Sequence, residues 1–208
     1  MMTAIKPGVV LLCAAAVLLP AAGCFSRKFP EKALYFVEVQ RPGEVAGEGD
    51  GVLRLARVQV APMFERKGFV YRTGGGRYEE DFYNEFFAPP AAMIQRATRD
   101  WLARSAIFLA VLDPADRAVA DWYLQTRVID LYGDARDVSA LTAELAIEYT
   151  LVRREKLGAD VVFRKQYAES ERLAVESNEE LVRGWERALA RILETLEADV
   201  RARLSPTS

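Results

Sequence analysis

Hydrophobic and polar residues alternate most regularly between Leu141 and Leu151. Leu141, Ala143, Leu145, Ile147, Tyr149 and Leu151 hold one parity, and Thr142, Glu144, Ala146, Glu148 and Thr150 hold the other. Successive side chains of a strand point to opposite faces, so this rhythm predicts a strand with one buried and one wet face, the habit of antiparallel sheets. Asp121 to Tyr132, rich in aromatic and β-branched residues, predicts a long strand before it, joined through Gly133-Asp134. Leu157-Gly158-Ala159-Asp160 predicts a turn into a further strand, Val161 to Ala168, and three consecutive strands make a meander. Earlier strands are shorter: Ala33 to Val39, Val52 to Val60 and Ile107 to Leu112, with a glycine-rich loop from Arg41 to Gly51 between the first two. Phe69 to Thr73 and Arg77 to Glu80 flank Gly74-Gly75-Gly76, which predicts a hairpin. A phosphate-binding loop would need a Lys-Ser/Thr pair and a following helix, and the triplet has neither.

Two segments change to a helical period. From about Pro90 to Arg104, Ile94, Ala97, Trp101 and Leu102 recur at the spacing of one helix face, and Pro89-Pro90 suits the helix start. From about Asn178 to Leu204, the residues Leu181, Trp185, Leu189, Ile192, Leu196, Val200 and Leu204 form one long apolar face. Ser177 and Glu180 have the spacing of a capping box, and Arg201 and Arg203 complement the dipole at the far end. The predicted class is α+β: an antiparallel β-sheet packed by one shorter helix and a long C-terminal amphipathic helix.

The amino terminus follows a different rule. Lys6 precedes an uncharged run from Pro7 to Ser26 that contains Leu19-Pro20-Ala21-Ala22-Gly23-Cys24. Its apolar core, Val9 to Leu19, is shorter than the roughly 20 residues a membrane-spanning helix needs, and small residues precede the cysteine. Residues 1–23 are therefore expected to be a signal peptide, 24–32 a lipidated tether and 33–208 one domain. The Cys24 context resembles a bacterial lipobox, with Ala21 where Leu is more usual. That resemblance implies a diacylglycerol thioether on Cys24 and acylation of its new amino group.

Composition narrows the chemistry. Loss of residues 1–23 removes one basic residue and no acidic one, leaving 27 basic against 30 acidic residues, with the two signs interspersed. Such a balance gives no electrostatic footprint for nucleic acid. Cys13 leaves with the signal, so the mature body has no thiol beyond Cys24. The chain contains no histidine, which removes Ser-His-Asp and Cys-His nucleophiles and the usual zinc sites. No catalytic, cofactor-binding or metal-ligating residues are assigned, and the protein is expected not to be an enzyme. Glu79, Glu80 and Asp81 have no second motif to orient them and are expected to be strand and loop charges. Arg183, Arg187 and Arg191, at four-residue spacing, are expected on a solvated helix face. Phe82, Tyr83, Phe86 and Phe87 form a cluster that either plugs the core beneath the first helix or faces lipid, a partner or another subunit. Tyr83, Phe86 and Phe87 are the candidate interface residues.

An ordered set of short signatures accompanies the lipobox. It comprises Tyr35-Phe36-Val37, the run Leu55 to Val60, Val70-Tyr71-Arg72, Tyr83-Asn84 followed by Pro89-Pro90, Ala120-Asp121, and the C-terminal helix. In this order they resemble the ABC-type transport auxiliary lipoproteins, with Phe86 where that family often has Trp. The resemblance implies an outer-membrane lipoprotein facing the periplasm and held in outer-membrane lipid through acylated Cys24. Its implied partners are inner-membrane permease and ABC components and a mammalian-cell-entry (MCE) domain protein of a lipid-transport system. A ring-shaped homo-oligomer is also implied. Phe25 after the cysteine agrees with outer-membrane delivery. The alternative is a structural or regulatory lipoprotein of a secretion channel or cell-wall enzyme.

Overall fold

The computed structural model describes residues 31–43, 49–137 and 139–204. Cys24 and the signal segment lie outside the described residues. The body from Lys32 onwards holds nine strands and two helices among those residues. The three longest strands are β7 (Trp122–Asp134), β8 (Thr142–Glu155) and β9 (Gly158–Arg172). They pair antiparallel in sequence order, the expected meander.

The other edge of β7 is shared by three short strands laid end to end. These are β2 (Val52–Leu55), β3 (Gln59–Val60) and β4 (Gly68–Arg72), and all run parallel to β7. The expected single strand from Val52 to Val60 is thus interrupted. Leu55 pairs with Leu124 and Gln59 with Arg127, so the chain takes four steps where β7 takes three and one residue must loop out. Beyond β4 lie β5 (Tyr78–Phe86), antiparallel to it, and then β1 (Ala33–Tyr35), parallel to β5. Strand β6 (Ala110–Leu112) flanks β2. The α+β class stands, but the sheet is mixed: its antiparallel part is the meander and the β4–β5 hairpin, and the short strands add parallel pairs.

Both helices cover one face of this sheet. Helix α1 (Pro90–Ala103) buries Met93, Ile94, Ala97, Trp101 and Leu102. Helix α2 (Asn178–Leu204) buries Leu181, Trp185, Leu189, Ile192, Leu196 and Val200 against β8 and β9. Opposite them stand Leu145, Ile147, Tyr149 and Leu151, the odd-numbered set of β8. Gly184 lets α2 approach closely, since a Cβ there would lie 2.7 Å from that of Ala143. The Ser177 hydroxyl accepts from the Glu180 N–H at 3.1 Å, so the cap forms. The Glu180 carboxylate turns to Arg183 and Arg187 instead.

Candidate functional site

The aromatic cluster between Asp81 and Phe87 is divided by a bulge. Gly68 pairs with Glu85 and Val70 with Glu80, so β4 takes two steps while β5 takes five. The surplus residues fold outwards around Asp81, whose carboxylate accepts from the N–H groups of Tyr83 (2.7 Å) and Asn84 (3.1 Å) and from the Asn84 side-chain amide (2.8 Å). Asn84 in turn accepts from the Tyr35 hydroxyl at 3.3 Å. Gly68 is needed here because a Cβ would stand 2.6 Å from Glu80 Cγ and 2.9 Å from the Asp81 carbonyl oxygen.

The consequence is two unlike surfaces. Phe86 is only 2% exposed and packs against Phe69 and Trp185, with centroids 4.7 and 5.2 Å away. Phe82 (68%), Phe87 (63%) and Tyr83 (44%) remain exposed, and Phe82 meets Tyr83 edge-on at 5.2 Å. Of the three expected interface residues, Tyr83 and Phe87 therefore lie on the surface and Phe86 lies inside the core. Alternation would put Phe82 and Phe86 on one face; the bulge between them leaves Phe82 outside and Phe86 inside.

Sequence reasoning missed two neighbours. Lys32 places its ammonium 4.4 Å from the Phe82 ring centroid and forms an ion pair with Glu85. Leu34, in register with Glu85, is 55% exposed. Phe87 joins the same edge, because its N–H donates to the Tyr35 carbonyl at 2.6 Å and its carbonyl accepts from Lys67 at 2.9 Å. Leu34, Phe82, Tyr83 and Phe87 thus form an exposed tip near the start of α2, where the Tyr35 hydroxyl donates to Glu179 at 3.2 Å. Burial and that carboxylate raise the Tyr35 pKa, so the phenol stays protonated.

The charged candidates resolve more simply. Glu79 accepts from Thr73, Glu80 pairs with Arg66, and Asp81 holds the turn. The row Arg183, Arg187 and Arg191 keeps much of its surface in solvent, as expected; Arg183 pairs with Glu180 within α2, whereas Arg187 and Arg191 also reach Glu171 and Glu169 on β9 and tie helix to sheet. On the uncovered sheet face, Arg57, Arg127 and Arg164 line a shallow depression with Gln59, Gln125 and Glu148. Arg127 lies 3.9 Å from Glu148, and Arg164 donates to Thr150. Three guanidinium groups against the one carboxylate of Glu148 give the depression a positive balance.

A family model described as "ABC-type transport auxiliary lipoprotein component" matches residues 36–197. The chain belongs to this family. Its members are auxiliary lipoprotein components, and the match covers α1, the sheet from Phe36 onwards and most of α2. No curated protein matches the sequence. Among solved structures, protein XCC0632 from Xanthomonas campestris is similar at a TM-score of 0.71 and 15% identity, covering 82% of this auxiliary lipoprotein and 96% of that chain. The hypothetical protein CT253 from Chlamydia trachomatis is similar at a TM-score of 0.51 and 11% identity, covering 74% of this chain and 99% of that one. At such identities these structures report the fold alone.

Proposed function

We propose that the protein is a lipid-anchored periplasmic accessory component of an ABC/MCE-type envelope lipid-transport system. It docks the transport machinery at the outer membrane. One observation carries this reading: the auxiliary-lipoprotein match at residues 36–197 directly follows a lipobox-like sequence ending at Cys24. An accessory role agrees with the family's description as an auxiliary component, and among the described residues the aromatic tip and the arginine-lined depression are surfaces suited to binding. Acylation supplies the anchor: two or more chains, at about 0.8 kcal/mol per buried methylene, hold a protein on a bilayer where one chain holds it only marginally.

The test is made in the native host. Mass spectrometry of the mature protein is expected to find acyl groups on Cys24, and Cys24→Ser is expected to move the protein from the outer-membrane fraction to the soluble periplasm. Cross-linked membranes should yield the MCE-domain protein and permease with the wild-type chain, and native mass spectrometry should find a homo-oligomer. An unmodified Cys24, or partners from a secretion channel or cell-wall enzyme, would overturn the reading.

A further inference from the structure

We infer that the tip formed by Phe82, Tyr83, Phe87 and Leu34 rests in the headgroup region of the bilayer to which the protein is anchored. It would fix the orientation of the body on that surface. The inference rests on the lipid anchor proposed above and adds a lipid-binding surface to it.

Three features of the molecule point to lipid. First, the chain length leaves the tip little room. Lys32, which touches Phe82, is eight residues beyond Cys24. At no more than about 3.5 Å per residue, that tether reaches roughly 28 Å even when fully extended. Second, the tip is built outwards. The Asp81 turn and the Gly68 approach hold Phe82 and Tyr83 away from a core that accepts Phe86 next to them. Large exposed aromatics clustered in this way mark an interaction surface. Third, the chemistry suits a membrane interface. Aromatic rings and a snorkelling lysine stem are favoured at headgroup level, and the Lys32 charge is balanced by Glu85. The attraction is therefore apolar and needs no anionic lipid. Tethering makes even weak contact effective, because it converts docking into an intramolecular event at high local concentration.

The test uses the mature chain, residues 24–208, coupled through Cys24 to a maleimide-bearing lipid in phosphatidylcholine vesicles. Cys24 is the one cysteine of that chain, so the anchor does not depend on acylation in the host. Phe82→Trp places an indole on the tip, and Leu157→Trp places one in the exposed turn between β8 and β9. Emission is compared with the unsubstituted protein, with and without phospholipid brominated in its acyl chains. The added Phe82→Trp emission should be quenched several-fold and shifted to the blue, without change in high salt, whereas the Leu157→Trp emission should not respond. Tyr83→Trp serves as a second reporter, with circular dichroism to verify the fold of each variant. Equal and weak quenching at positions 82 and 157 would place the tip in water and overturn the proposal. A blue-shifted but unquenched signal would place it against another copy of the chain and overturn it equally. An unmodified Cys24 in the host would defeat the anchor reading without altering these vesicle results.

Discussion

Thr98 and Tyr149 share a buried hydrogen bond of 3.0 Å that ties α1 to the middle of β8. The Tyr149 ring is fully enclosed, and burial raises its hydroxyl pKa so that it remains neutral. The two truncations should differ. Thr98→Val leaves the phenol with no partner and should cost about 1–3 kcal/mol in chemical denaturation. Tyr149→Phe should cost less, because the Thr98 hydroxyl can turn to a carbonyl one helical turn back. Glu197 is the corresponding charged residue. It accepts from Arg41 (2.8 Å), Trp101 (2.9 Å) and Arg201 (2.9 Å), joining the segment after β1 to both helices. Burial alone would raise its pKa, but hydrogen bonds from Arg41, Arg201 and Trp101 outweigh this and hold it below the usual value. A depressed carboxyl stabilises the fold above its unfolded pKa, and that stability is lost as pH falls through the folded one. Glu197→Gln should therefore cost about 1–3 kcal/mol near neutrality, since it weakens charge-assisted hydrogen bonds from Arg41 and Arg201 while Arg41 keeps the Pro42 and Gly43 carbonyls. The gap between wild type and variant in urea denaturation should narrow once the pH drops below about 4.5.

At the scale of elements, the fit between α2 and the meander decides stability more than helix propensity does. Gly184 sits inside a helix, where alanine would ordinarily be better by about 1 kcal/mol. The missing Cβ would meet Ala143 at 2.7 Å and Leu173 at 2.9 Å. Gly184→Ala should consequently lower stability by about 1–2 kcal/mol, read as a lower thermal midpoint, because overpacking outweighs the propensity gain. The helix itself was legible in the sequence: seven apolar residues on one face, Ser177 at the start and arginines at the end are local signals that agree. The destination of its arginine row was not. Arg187 and Arg191 find Glu171 and Glu169 only because β9 packs beside them, and helical spacing carries no information about a neighbouring strand. The same holds for the aromatic cluster. Its composition announced a surface or a core plug, and a bulge set by β4 made it both.

Across the whole molecule, the tip and the β8–β9 turn lie at opposite ends of α2. Tyr35 near the tip touches Glu179 at the helix start, whereas Leu204 at its end borders Trp122 and Arg153 at the turn end of the meander. A helix of 27 residues spans roughly 40 Å, so a body resting on its tip holds the turn end well clear of a bilayer surface. The sequence by itself determined the α+β class, the meander, both helices and the candidate anchor at Cys24. Each depends on periodicity, capping or spacing within one continuous segment. Only tertiary structure decided that β2, β3 and β4 share one edge of β7 in parallel, that Phe86 goes inside while Phe82 stays out, and which carboxylates claim the arginines. Those outcomes are set by contacts between segments far apart in the chain, where register and close approach select among arrangements that local patterns leave equal.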